Sequence, residues 1–168
     1  MPVKFTTSYL EDALALFRQY KLLTERAMEQ VTDEELFIAL DEEMNSIAIT
    51  VKHMAGNMRS RWTDFLTTDG EKPDRDRDSE FVAPPTTREG VMGVWEEGWR
   101  RVFGALEPLN QSDMSREVYI RGEKHSVLQA IQRQIAHYSY HSGQIVMLAK
   151  HFRSAQWKTL SMPRNRHV

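Results

Sequence analysis

Apolar residues recur at helical spacing in four long stretches of this chain, and one long break, residues 67–85, interrupts them. The break holds Gly70, Pro73, Pro84, Pro85 and the mixed-charge run Asp74-Arg75-Asp76-Arg77-Asp78. Neither half of the chain has enough amphipathic surface to close a core alone. The break therefore reads as a crossover between two helices that run in the same direction, free to move, inside one domain over residues 1–168. The expected architecture is an all-α four-helix bundle with a long crossover between its second and third helices.

The first helix is expected from Ser8 to Gln30, opened by the capping pair Ser8 and Glu11, with Leu10, Ala13, Leu14, Phe17 and Lys21 along one stripe. A second pair, Thr32 and Glu35, predicts a short helical segment through Leu40. The second long helix should run from Asn45 to Leu66, with Ile47, Val51, Met54, Met58 and Phe65 buried. Thr86 and Glu89 are expected to cap a third helix that ends near Leu106, burying Val91, Val94, Trp95, Val102 and Leu106. Its glycines Gly90, Gly93, Gly98 and Gly104 cost up to about 1 kcal/mol each against alanine, which close approach of a neighbouring helix would offset.

Residues 117–121 alternate and predict a short strand that turns at Gly122 toward Lys124 and His125, a small hairpin before the last helix. Ser126 and Gln129 cap that helix, which should reach Phe152. Its stripe is Leu128, Ile131, Ile135, Tyr138, Ile145, Ala149 and Phe152. It carries no carboxylate, so it is expected to be the most buried of the four. Residues 154–168 read as an irregular tail.

Composition narrows the chemistry. The absence of cysteine excludes disulfides, thiolate zinc sites, iron–sulfur clusters and a cysteine nucleophile. The first 123 residues hold all 24 carboxylates against 15 of the 22 Lys and Arg, so they sum to −9 and the remainder to +7. The late basic residues, among them Lys124, Arg133, Lys150, Arg153, Lys158, Arg164 and Arg166, are thinly spread and read as charge balance. Nucleic acid is not the expected partner. No stretch has the order of a signal peptide and no run is long enough to span a membrane, so a cytoplasmic location is expected.

The segment from Gln134 to Gln144 carries the strongest chemical signal. His137 and His141 are four apart, which puts both imidazoles on one helix face, one turn along. Two neutral imidazoles at that spacing can share a metal ion. Tyr138 follows His137, so the glutamate of the zincin motif is missing. The pair flanks the Tyr138 stripe and should face the edge of the bundle interior. His53 stands in the same relation to its own stripe, beside Met54. Packing of those two flanks would bring three imidazoles to one point, with Gly56 allowing close backbone approach. Three protein ligands leave a coordination position open, as in catalytic sites. His125 lies about 18 Å along the helix from His137, and His151 about 15 Å from His141, so neither can join. His167 sits in the tail. Asn57 and Gln144 are candidate polar contacts to the ligands or a substrate, and Tyr138 and Tyr140 read as packing residues. Glu-x-x-His pairs and glycine-rich phosphate loops are missing from the sequence, and Glu42-Glu43 and Glu96-Glu97 read as solvated faces. The methionines read as core filling.

Taken together, Asn45-Ser46-Ile47 with His53-Met54-Ala55-Gly56-Asn57 and Arg61-Trp62, then Arg121-Gly122-Glu123 with His125-Ser126-Val127, then His137-Tyr138-Ser139-Tyr140-His141-Ser142-Gly143-Gln144, and the tail from Trp157 to Arg164, resemble the DinB/YfiT-like superfamily of metalloenzymes, in its bacterial branch of unknown function. The resemblance spans nearly the whole chain. It implies the same bundle, a divalent metal held by His53, His137 and His141, and homodimers. It also implies a small-molecule substrate and transfer of a low-molecular-weight thiol onto an electrophile, with metal-dependent hydrolysis or a non-catalytic metal-binding bundle as alternatives. Imidazole ligands suit zinc, nickel, iron and copper alike. No catalytic base is legible.

Overall fold

A computed structural model describes residues 4–161. The tail residues Met162, Pro163, Arg164, Arg166 and His167 lie outside that range. Four long helices form the body: α1 (Tyr9–Met28), α2 (Ile47–Trp62), α3 (Arg88–Leu106) and α4 (Val127–Arg153). A two-stranded antiparallel sheet, β1 (Glu117–Ile120) and β2 (Glu123–Ser126), precedes α4. Among the described residues no helix is long and apolar enough to cross a membrane.

Contacts between helices fix their directions. The Tyr9 hydroxyl reaches the Leu128 carbonyl and Thr24 Oγ1 donates to Ser142 Oγ, so α1 and α4 run the same way. Gly98 rests on Ala55 and Met58, while Arg101 Nη1 donates to Thr63 Oγ1, so α2 and α3 also run together. Arg88 binds the Met28 carbonyl and Arg18 pairs with Glu107, which makes α1 and α3 antiparallel. The bundle is therefore up, down, down, up. Residues 67–85 must travel the length of the bundle to start α3 beside the start of α2, as their sequence predicted.

The crossover is tied down along its path. Gly70 N donates to the Tyr119 carbonyl of β1, and the Asp69 carboxylate accepts from the backbone of Glu71, Arg121 and Gly122. Ser60 on α2 donates to the Gly70 carbonyl and accepts from Lys72 N. Further along, Lys52 Nζ donates to the Val82 carbonyl. Burial alone would raise the Asp69 pKa; the three backbone donors, with the Arg61 charge, outweigh it and hold the carboxyl below its ordinary value.

Helix boundaries follow capping chemistry. Ser126 and Gln129 exchange side-chain and backbone hydrogen bonds at the start of α4, the reciprocal box its sequence predicted. Thr87, rather than Thr86, caps α3, with its side chain accepting from Gly90 N. Thr32 and Glu35 do form their reciprocal pair, but the turn they open stops at Leu36, closed by the Phe37 N–H on the Glu34 carbonyl, and does not reach Leu40. Helix α2 ends at Trp62 instead of Leu66, because Thr63 is extended and Asp64 turns to φ 47. Phe65 is still buried, folded back on Trp62 with ring centres 4.8 Å apart. Arg121 and Gly122 both take positive φ, 58 and 74, the two-residue turn that matches strand twist in a hairpin.

The core is a continuous apolar cluster from all four helices and β1. Phe17 sits at its centre, 6.2, 6.1 and 5.8 Å from the rings of Trp62, Trp99 and Tyr138. The Tyr138 hydroxyl accepts from Trp62 Nε1 and donates to Asn57 Oδ1, which satisfies three polar groups in an apolar interior. Leu128, expected in the stripe of α4, is 37% exposed. Tyr140 is 62% exposed, so it is not a packing residue. Of the α3 glycines, Gly98 is the one held by close helix approach: a Cβ there would stand 2.8 Å from Met58 Sδ and 3.3 Å from Ala55 Cα. Gly93 and Gly104 have open space, and the structure gives no packing reason for them.

Candidate metal centre

Parallel α1 and α4 against parallel α2 and α3 place the middle of α2 opposite the middle of α4. His53 comes from α2, and His137 and His141 from α4. Their Nε2 atoms converge: His137 Nε2 is 3.3 Å from His53 Nε2 and 3.0 Å from His141 Nε2. One ligand atom of each lies within 4.8 Å of the others. Nitrogens on a tetrahedral ion with bonds of about 2.0–2.1 Å stand roughly 3.3 Å apart, so this spacing suits one shared ion.

The outer nitrogens strengthen the fit. His53 Nδ1 donates to Glu80 Oε2 at 2.9 Å, and His141 Nδ1 donates to Gln144 Oε1 at 2.7 Å. Each bond uses the ring proton at Nδ1 and leaves the Nε2 lone pair aimed at the common point. Three converging nitrogens, two of them lone-pair acceptors by this bonding, call for a cation or a single proton between them. His53 is 4% and His141 9% exposed. Burial, followed by repulsion from His141 and His53, drives the His137 pKa down to about 3. Burial drives His141 down to about 4, against the opposing hydrogen bond to Gln144. In the metal-free chain both rings are therefore neutral at ordinary pH, the form in which imidazole binds metal.

Glu80 is the residue that sequence reasoning did not find. It lies in the crossover, on the turn Asp78–Phe81, and is 5% exposed. Arg75 grips it with two hydrogen bonds, Nε to Oε1 at 2.8 Å and Nη2 to Oε2 at 2.9 Å. Burial pushes the Glu80 carboxyl up, but His53 and Arg75 together overcome that and keep it below its ordinary value. Phe81 stacks on the far face of His53, with ring centres 4.5 Å apart. Gly56 makes room for this arrangement: a Cβ there would lie 2.4 Å from Glu80 Oε1. The close approach expected at Gly56 is thus real, but it comes from a crossover side chain and not from a neighbouring helix backbone.

The other candidates separate clearly. Gln144 orients His141. Asn57 is buried and bonded to Tyr138, with no hydrogen bond to any of the three histidines, although it lines the adjoining cavity. His125 binds the Glu123 carbonyl instead, and His151 is exposed. A cavity of about 300 Å³ opens beside the centre, with His53, His137, Asn57 and Gln134 on its wall among several arginines. A larger one of about 600 Å³ lies between α2, α3 and the crossover; none of the three histidines lines it.

The fold is a four-helix bundle of YfiT-like topology. The chain belongs to the family described as Protein of unknown function (DUF1572), whose model matches residues 4–166. Among solved structures it is similar to YfiT from Bacillus subtilis, described as a probable metal-dependent hydrolase with an unusual four-helix bundle topology. The two are 16% identical, and the similarity covers 90% of this chain and 92% of the other at a TM-score of 0.66. At that identity the likeness speaks for the fold alone. No curated protein matches the chain.

Proposed function

We propose that this protein is a metal-dependent enzyme whose divalent ion, zinc or nickel with iron as a further option, is held by His53, His137 and His141. The observation that carries this reading is the convergence of three Nε2 atoms at 3.0 and 3.3 Å, two with outer nitrogens committed to Glu80 and Gln144. A bound ion there supplies Lewis acidity that makes a nearby thiol or water acidic near neutral pH. The chain's part is to keep His137 and His141 neutral, fix the tautomers of His53 and His141 and shape the adjoining cavity. Glu80 is not free to accept a proton from substrate, since His53 and Arg75 occupy both its oxygens.

Because all three ligands would be neutral imidazoles, an ion held by His53, His137 and His141 would keep its full charge and favour an anionic nucleophile. That supports transfer of a low-molecular-weight thiol onto an electrophile as the activity. Hydrolysis is the second reading, favoured by the likeness to YfiT, a probable metal-dependent hydrolase. Homodimer formation belongs to the same proposal.

Elemental analysis of purified protein tests the centre. About one divalent ion per chain is expected, with severe loss in each of His53→Ala, His137→Ala and His141→Ala. Unchanged occupancy in any variant removes that residue from the centre. Thiol consumption with chlorinated aromatics or epoxides marks transfer, and ester or amide cleavage without thiol marks hydrolysis. A metal-loaded protein inactive in both assays overturns the enzymatic reading.

A further inference from the structure

The cavity of about 300 Å³ beside the histidines has an unusual wall: Arg61, Arg75, Arg77, Arg121 and Arg133 line it, and no carboxylate does. These arginines come from α2, the crossover, the hairpin turn and α4, so the basic character is built by the fold and not by a run in the sequence. Nearby acids neutralise only part of it. Arg75 is committed to Glu71 and Glu80, and Arg121 approaches Glu71 at 3.5 Å. Among the described residues, Arg77 and Arg133 have no ion-pair partner; Arg77 instead lies over the Phe81 ring at 5.6 Å.

Arg61 supplies a second, separate observation. Its side chain is 3% exposed, and its one ion pair, to Glu71, is long at 3.6 Å. Its Nε and Nη1 atoms are buried with no hydrogen-bond partner among the described residues. A buried guanidinium with orphaned donors is costly unless something accepts from it. Burial also lowers its pKa, against the pull of Glu71. Guanidinium groups bind carboxylate and phosphate oxygens in pairs, so five of them around one space select an anion.

We propose that this cavity binds the anionic group, carboxylate or phosphate, of a small substrate or co-substrate, with Arg61, Arg77 and Arg133 as its principal contacts. The inference deepens the enzymatic reading, since it gives the substrate class of the same site. The anion would sit beside His53 and His137, which places the rest of the molecule next to the histidine centre.

The test is calorimetric titration of the full chain, metal-free and metal-loaded, with succinate, glycerol phosphate and uncharged butane-1,4-diol at fixed ionic strength. Saturable binding of one or both anions with Kd of about 1 mM or tighter, and none of the diol, is expected. Whichever anion binds more tightly identifies carboxylate or phosphate as the source. Arg77→Ala and Arg133→Ala, both at exposed positions, should each weaken that binding about tenfold without changing metal per chain. Arg61→Ala should abolish it, and the two exposed variants keep the test decisive should that buried change impair folding. Unaltered affinity in both Arg77→Ala and Arg133→Ala, or no saturation with either anion, overturns the proposal. Anion binding by a parent protein that retains no divalent ion would leave this inference standing while the metal reading fails.

Discussion

His53 Nδ1 stands 2.9 Å from Glu80 Oε2, so a residue of the crossover holds a histidine of α2 by its outer nitrogen. Arg75, also in the crossover, holds Glu80 in turn. The orientation of one wall of the centre is thereby set by a segment that belongs to no long helix.

Glu80→Gln keeps the shape but removes the charge that pairs with Arg75 and accepts from His53 Nδ1. Metal affinity is expected to fall about 10–100-fold with the helical content unchanged. Competition with a chelating dye measures the first and circular dichroism the second. Wild-type affinity in this variant would show that the carboxylate does not tune the centre.

Gly56→Ala should destabilise the fold despite the better helix propensity of alanine. The new Cβ would fall 2.4 Å from Glu80 Oε1, and Glu80 cannot yield without breaking its bonds to His53 and Arg75. The propensity gain of about 1 kcal/mol is outweighed by loss of a buried pairing worth several times that. Denaturant unfolding of the metal-free protein should show a net loss of roughly 1–3 kcal/mol. A stabilised variant would mean that Glu80 does not occupy this place.

Tyr138→Phe removes the hydroxyl that accepts from Trp62 Nε1 and donates to Asn57 Oδ1. Both partners are buried and would be left unsatisfied, at a cost of about 1–3 kcal/mol. The midpoint of unfolding should drop while its slope stays the same.

Asp69 makes the tie between crossover and hairpin depend on pH. Its folded pKa lies below the ordinary aspartate value of about 3.9, so its contribution is complete above that value and is lost as pH falls through the folded pKa. Asp69→Asn should therefore be less stable than the parent at neutral pH, by about 1–2 kcal/mol. The gap should narrow below about pH 4, as the parent carboxyl itself becomes protonated. Parallel unfolding curves across that range decide it; a constant gap would count against a charged tie.

The helices and the three histidines were legible because each rests on local spacing. The His137–His141 pair needs one helical turn, and His53 needed only its place beside Met54 on a regular stripe. Ser126 and Gln129 marked the start of α4 for the same reason. Glu80 was not legible, since it is 27 residues from His53 in a segment with no period, and its position depends on the path of the crossover. The tandem Thr86-Thr87 offers two equivalent caps, and only the backbone decides between them. Arg133, which reads as charge balance in the sequence, faces Arg61, Arg77 and Arg121 across one cavity only after four segments have packed.

The separation of the histidines along the chain also bears on the order in which the centre is built. His137 and His141 come into register as soon as one turn of α4 winds, whereas His53 must close a loop of 84 residues to meet them. Long closures are the slow, entropically demanding events of folding. A two-nitrogen chelate is thus available to a nascent α4, and the third donor arrives only with the finished bundle, so full affinity for an ion would report completion of the whole topology.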